Sequence, residues 1–381
     1  MNKMIYIILL LYVPWGLSAQ PFSIQGQVLD VETKQPIEFS TIYVENEGKG
    51  TMSNSDGFFE INVNSLPCTI QIRHLSYLNE SLTIEDATNE IKVFLVLSTI
   101  ELAEVSVSYL NSLMLRAYEK LLQDSSFLYS QIFYRQTTRR NEKKRPEEVK
   151  EMFCWSKSNN KGVLACVLDK GRYARQGLGY TNFSNHTKIT QFNLDLLIRD
   201  STTQHLTYSL GRSFKQGNVI EIKYGCDGCK NMGSMFINTK TATLERWLFD
   251  LFLDDGFWSV TSSSPDIKIR VQKYTYDLTF QTIENVTVME SLKVDLYYDR
   301  EVKRAKDRVH VSSIAWFYNY NATPEPSIVY GITLEDDFEA IRKTPYDPVF
   351  WENHPVIRRT EGEKASIKLF EKSKLFDTNI L

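Results

Sequence analysis

Three long runs of β-branched and aromatic residues constrain this chain most: Ile267 to Ile283, Val286 to Tyr298 and Val309 to Tyr320. Side chains on a strand alternate between its two faces, so runs of this kind read as extended strands. Shorter runs precede them at Ser130 to Arg139, Glu148 to Lys157, Gly162 to Leu168, Val219 to Tyr224, Ser234 to Asn238 and Ala242 to Leu248. Many consecutive strands joined by tight turns imply one large antiparallel sheet. Sheets twist, and long strands in one sheet curl, so a curved half-barrel is expected. The 21 Phe and 20 Tyr suit such a fold, because aromatic residues favour strands.

One helix is expected ahead of the sheet. Leu110, Leu113, Met114, Ala117, Tyr118 and Leu121 fall on one face at helical spacing, with Arg116, Glu119, Lys120 and Gln123 opposite. Asn111 or Ser112 is the expected cap. At the other extreme of the chain, Met1-Asn2-Lys3 leads into an apolar run from Met4 to Val13, broken by Pro14 and Gly16 and followed by Leu17-Ser18-Ala19-Gln20. Residues 1–20 therefore read as a secretory signal peptide, too short to be a membrane span of ~20 apolar residues. Cysteine is missing just after the cut, which argues against a lipid anchor. No later stretch is apolar enough to span a bilayer as a helix. A net charge of −3, evenly mixed in sign, argues against nucleic acid.

Residues 21–108 read as short strands separated by turns, the pattern of a β-sandwich. Ile24-Gln25-Gly26-Gln27-Val28 is followed by Asp30, Thr33, Pro36 and Ile37. Thr51, Asp56-Gly57-Phe58-Phe59 and His74-Leu75-Ser76-Tyr77 come next. In that order and spacing they resemble the carboxypeptidase-like regulatory domain, a prealbumin-like sandwich, with Ser76 where that family has Gly. Leu102 to Val107 resembles the short tail strand that follows it. The resemblance implies an accessory module without catalytic residues, of the kind that precedes TonB-dependent outer-membrane receptors, peptidases and other exported proteins. It also places the protein in a Gram-negative envelope: periplasmic, outer-membrane-associated or secreted.

Residues 109–381 hold weaker resemblances. Phe133-Tyr134-Arg135-Gln136 is similar to the start of a region fused to this sandwich. Gly233 to Ala242 resembles a hairpin of half-barrel lipoprotein-carrier-like proteins, with Asn238 in place of Asp. Tyr346-Asp347-Pro348-Val349-Phe350-Trp351 resembles a tail found in the same exported proteins. None of these identifies a cargo.

Chemistry-bearing patterns are few. In Cys226-Asp227-Gly228-Cys229, Asp-Gly signals a two-residue turn whose ends approach within ~7 Å, close enough for a local disulfide in an oxidising compartment. Unpaired turn thiols, a metal site and a redox pair stay open. Strand-like flanks disfavour redox chemistry, which wants a helix N-terminus, and zinc wants four ligands. Cys68, Cys154 and Cys166 read as buried thiols. None of His74, His186, His205, His310 and His354 stands in a zinc-peptidase pattern, and Gly-x-Ser-x-Gly, a phosphate loop and a dinucleotide fingerprint are all missing. No cofactor or metal is expected. The charged run Arg139 to Glu148 reads as a solvated hairpin tip. Trp247, Phe252, Trp258 and Trp316 are candidates to face an apolar or glycan ligand.

The expectation is a mostly β protein: an N-terminal prealbumin-like sandwich, a helix, then a large curved antiparallel sheet. Its expected role is non-catalytic, binding an envelope protein partner or a ligand. A half-barrel carrier of an apolar or glycan ligand and an unrecognised hydrolase are the alternatives. A partner-binder should expose an apolar patch, a carrier should hold an apolar cavity, and an enzyme should gather His and carboxylates in a cleft.

Overall fold

The structure, a computed structural model, describes residues 22–87, 90–98, 105–124, 126–176, 207–214, 218–226, 228, 230–253, 256–261, 264–320, 324, 326–329, 336–354 and 356–378. The leader-like residues 1–20 lie outside them. The fold is mostly β, as the strand patterns imply.

The first unit is a two-sheet sandwich of β1 (Phe22–Asp30), β2 (Thr41–Val44), β3 (Lys49–Met52), β4 (Phe58–Val63), β5 (Cys68–Arg73), β6 (Glu80–Ile84) and β7 (Ile91–Leu95). One sheet runs β4-β1-β7 and the other β3-β2-β5-β6. Ile24, Val28, Ile42, Phe59, Ile61 and Ile70 fill the space between them. Gly57 makes the turn before β4 at φ +75°, where a Cβ would lie 2.6 Å from the Val28 carbonyl oxygen, so glycine is required on both counts. Strand β6 has little sequence signature, because its pattern is mostly exposed and polar.

Helix α1 (Val107–Gln123) follows, capped by Ser106, whose hydroxyl accepts from the Tyr109 N–H. The helix thus begins earlier than a cap at Asn111 or Ser112 would place it. Strands β8 (Leu128–Arg140), β9 (Glu148–Asn159), β10 (Gly162–Arg175), β11 (Thr207–Phe214), β12 (Val219–Gly225), β13 (Asn231–Asn238), β14 (Leu244–Phe252), β15 (Ser259–Thr261), β16 (Ser264–Ile283), β17 (Val286–Val302) and β18 (Ala305–Tyr318) form one antiparallel sheet. Its order is β10-β9-β8-β18-β17-β16-β14-β13-β12-β11, with β15 on β16. The sheet curls around the end of α1. Asn160 and Lys161, in the β9–β10 hairpin, donate to the carbonyls of Leu121 and Leu122. From the same turn, Lys120 reaches Thr241 and Thr243 beside β14. Strands β9 and β14 are five places apart, about 24 Å on a flat sheet at ~4.8 Å per strand. One helix end meets both only if the sheet bends towards it. Leu110, Leu113, Ala117 and Leu121 then occupy the inside of the bend.

The opposite face is covered by the sandwich and by the C-terminal segment. That cover comes from Tyr346 onward; the short helices α2 (Pro326–Val329) and α3 (Asp337–Arg342) before it pack at β10, and Phe338 and Ile341 of α3 join the core on the α1 face. Next come α4 (Pro348–Asn353), α5 (Glu361–Lys372) and α6 (Leu375–Thr378). Asp347 caps α4 by accepting from the Phe350 N–H. That cap aims Phe350 and Trp351 at Phe153, at ring separations of 5.2 and 5.4 Å, which gives the Tyr-Asp-x-x-Phe-Trp pattern a packing role. Met52 of β3 joins the same cluster with Phe133, Trp316 and Ile357.

Four charged side chains anchor this segment. The Glu151 carboxylate is fully buried and receives Arg135 at 2.7 Å, Arg172 at 2.8 Å and Arg359 at 3.1 Å. Burial alone would raise its pKa, but the Arg359, Arg172 and Arg135 guanidinium groups outweigh it and hold the carboxyl well below the usual range. Within the run Arg139 to Glu148, Asn141 to Arg145 are exposed, as a solvated tip requires, and the departure lies in the residues that follow. Glu147 and Glu148 are buried, Glu147 by Arg140 and Lys143 and Glu148 by Thr138 and Tyr173.

Replacing Glu151 by Ala is expected to cost about 3–5 kcal/mol, since two buried cations, Arg135 and Arg172, and the partly buried Arg359 lose their shared partner, read by urea unfolding at neutral pH. A depressed folded pKa contributes stability that is present above the unfolded value near 4.5 and lost as pH falls through the folded one. The acid limb of the stability curve should therefore flatten in the variant. His74 lies where the sandwich meets the sheet. Burial, then the nearby Arg246, push its pKa down to about 4 from 6.5, and its Nδ1 accepts from the Ser76 N–H. The folded state resists this proton, so stability should fall as pH drops from 6.5 towards 4, and His74→Gln should remove that component in melting curves taken across the window.

Candidate functional site

Strand periodicity builds the floor of a cleft on the sheet face away from α1. Adjacent strands β17, β18 and β8 are in register, so alternate residues form rows. Lys293, Ile314 and Arg135 make one row; Asp295, Ser312 and Thr137 the next; Tyr297, His310 and Arg139 the third. All nine line a cleft of about 490 Å³. Phe39 and Asn54-Ser55-Asp56 of the sandwich form one wall. Ile357 and Thr360 to Glu363, at the start of α5, form the other.

Three segments hold these walls. Asn54 donates to the Arg358 carbonyl at 3.0 Å, Thr51 to the Val356 carbonyl, and Arg358 pairs with Glu90 at 2.6 Å. Thr360 and Glu363 form a capping box, a reciprocal pair that satisfies two backbone N–H groups. Gly362 lets the helix approach the β8–β9 loop, because a Cβ there would lie 2.4 Å from the Lys144 carbonyl oxygen.

The floor is electrostatically coupled. His310 Nε2 lies 2.7 Å from Asp295 Oδ1. Lys293 Nζ is 3.6 Å from Asp295 and 3.6 Å from Glu38 of the sandwich. Burial would raise the Asp295 pKa, but the His310 hydrogen bond and the Lys293 charge bring it below the usual carboxylate value. Burial would lower the Lys293 pKa, and Asp295 and Glu38 reverse that. The His310 and Tyr297 rings stack at 4.5 Å, 3° from parallel. Arg139 is held by Thr137 at 2.6 Å and Glu363 at 3.5 Å. The Ser312 hydroxyl bonds to Asp295, the acid, whereas a nucleophilic triad needs the hydroxyl on the histidine.

The residues singled out from sequence lie elsewhere. Trp247 is 1% exposed on the α1 face, where its indole N–H donates to Tyr224 at 2.9 Å. Trp316 is 3% exposed on the other face, against Tyr318 and the Met52 cluster. Phe252 is exposed beside Lys273, and Trp258 is half-buried between Arg270 and Lys306. The structure does not gather these four into one site. Cys226 is disulfide-bonded and ends the hairpin of β12 and β13; Cys229 lies outside the described residues. Cys68, Cys154 and Cys166 are buried. Among the described residues, no group of three or more His, Cys, Asp or Glu is placed to hold a metal ion, and no helix is long and apolar enough to cross a membrane. The cleft residues were readable in principle as polar side chains two apart within long strands, and Thr360-x-x-Glu363 as a helix start.

The family model of the CarboxypepD_reg-like domain matches residues 24–107. It covers the sandwich and ends at the first residue of α1. The CarboxypepD_reg-like domain therefore supplies Phe39 and Asn54-Ser55-Asp56 to the cleft, and the sheet supplies the floor. No curated protein matches the sequence. Among solved structures, a DUF1329 family protein from Desulfovibrio piger aligns over 56% of this chain and 94% of its own, at 11% identity and a TM-score of 0.24. That likeness is too slight to carry an argument.

Asp295→Asn should destabilise the protein by about 1–3 kcal/mol, because the contacts of His310 and Lys293 lose the negative charge that strengthens them. Urea unfolding of the variant beside Ser312→Ala, which leaves the carboxylate in place and should cost less, checks this.

Proposed function

We propose that this is an exported, non-catalytic binding protein of a Gram-negative cell envelope, whose cleft between sandwich and sheet seats a polar ligand of glycan type. The leader-like residues 1–20 support export. One observation carries the binding reading: three separate parts of the chain close around a floor of ordered polar side chains beside an aromatic face. Donors on Lys293 and Arg139, acceptors on Asp295 and Asp56, and the Tyr297 ring suit a polyhydroxyl compound, which needs bonds of both senses and a flat apolar contact. Charges of both signs line the cleft, which disfavours a purely anionic ligand. An apolar cargo inside the curl is a weaker reading, because α1 occupies that space.

A hydrolase is the second reading, favoured by the His310–Asp295 pair within the cleft. A single experiment separates the two. The mature chain is incubated with envelope glycan fragments, binding is measured by calorimetry, and the recovered ligand is weighed by mass spectrometry. Saturable binding of an intact ligand, weakened at least about tenfold by Tyr297→Ala without a change in melting temperature, is expected. Cleaved ligand whose formation stops in His310→Ala would establish the hydrolase. If wild type binds no fragment, the glycan reading fails.

A further inference from the structure

A second surface lies at the end of the sheet where β14 finishes, β16 begins and β17 turns into β18, and none of its residues lines the cleft. Met232, Phe252, Leu253, Phe257 and Val260 are exposed there, Phe257 at 75% and Val260 at 57%. Register explains their grouping. Met232 sits opposite Asp250 on β14, Phe252 opposite Lys273 on β16, and Val260 opposite Lys268. Lys268 faces Glu301, which faces Lys306. The apolar tips and the turn between β17 and β18 therefore end at one edge of the sheet. That turn is Lys303-Arg304, both exposed and both at positive φ (48° and 71°).

The cations are of two kinds. Arg270 and Lys306 stand over the Trp258 ring at 5.4 Å each; Arg270 is paired with Asp299 at 2.8 Å, and Lys306 with Glu301 at 3.9 Å. Lys303 and Arg304 are ion-paired to no described residue. Apolar side chains foremost, a tryptophan set behind them and lysines around the rim are the arrangement that suits a lipid headgroup layer. Protein–protein interfaces are instead depleted in lysine. Asp254 and Asp255 fall between Leu253 and Gly256 in sequence and lie outside the described residues.

We infer that this edge is a peripheral docking surface for a membrane rich in anionic lipid, with Phe257 and Val260 entering the headgroup region and Lys303 and Arg304 meeting lipid phosphates. The charge complementarity is the decisive feature, since exposed apolar tips alone would not choose an occupant.

The full mature chain is sedimented with vesicles of phosphatidylcholine alone and with phosphatidylglycerol added. Binding is expected only with phosphatidylglycerol and should weaken as salt is raised. Phe257→Ser with Val260→Ser, and separately Lys303→Glu with Arg304→Glu, should each reduce it at least about tenfold. All four positions are exposed, so circular dichroism and melting temperature should match wild type. The inference is overturned if wild type ignores the anionic vesicles at low salt, or if both variants bind as wild type does. It is equally overturned if inorganic phosphate at matched ionic strength competes the protein off as well as soluble lipid headgroup does, which would make the edge a phosphate site. Retention of an envelope protein that the apolar variant abolishes, with no vesicle binding, would make it a protein interface. Tyr297→Ala should leave vesicle binding unchanged, so failure here and failure of the cleft reading are distinguishable.

Discussion

The Glu151 carboxylate holds together three parts of the chain that are distant in sequence. Arg135 reaches it from β8, Arg172 from β10 and Arg359 from the segment before α5. Arg135 also donates to the Ile357 carbonyl at 2.7 Å, so the same guanidinium that meets the carboxylate fixes the backbone of that segment. Ile357 in turn makes a bridge with Met52 of β3. A buried ion cluster is weak evidence for stability, because desolvation offsets much of the attraction. Its effect here is positional. Three guanidinium forks around one carboxylate admit few geometries, and the C-terminal segment adopts the one that brings it between sandwich and sheet.

From that placement the cleft follows. Without Ile357 and the start of α5 there would be a floor and one wall. The capping box and the close approach at Gly362 set where the second wall ends. The floor owes its order to a different cause. A strand repeats every two residues, so three strands in register present a grid, and any polar residue at alternate positions joins a row with its neighbours. Lys293 reaches across to Glu38, which makes one floor residue part of the contact that seats the sandwich. Ligand binding and domain docking therefore share charges.

Much of the architecture was legible in the sequence because it depends on local periodicity. The strands from Ile267 onward, the apolar face of α1 and the Asp-Gly turn before Phe58 all carry their own patterns. What could not be read depends on partners far away in the chain. Glu147 and Glu148 look like a solvated tip because charge is ordinarily solvated, and only the opposing Arg140, Tyr173 and Thr138 make their burial tolerable. Trp247 and Trp316 look like equivalent aromatic candidates, yet register sends one to the α1 face and the other to the sandwich face. The cleft lay hidden for the same reason. Its floor residues belong to three strands, its walls to two other regions, and no short motif spans them.

The inside of the curl gives the same lesson about function. A curved sheet invites the idea of a cargo held in its concavity, and the sequence pattern alone supports that idea. Leu110, Leu113, Ala117 and Leu121 fill that concavity with the chain's own helix, and Lys120, Leu121 and Leu122 tie the helix end to two hairpins. Several hydrogen bonds would have to open together before the helix could leave, and the apolar stripe would then face water. The apolar volume of this fold is thereby committed to stability. Polar side chains with room beside them remain on the opposite face, so recognition is drawn to the junction of the two domains, where the chemistry of the ligand must be that of the grid.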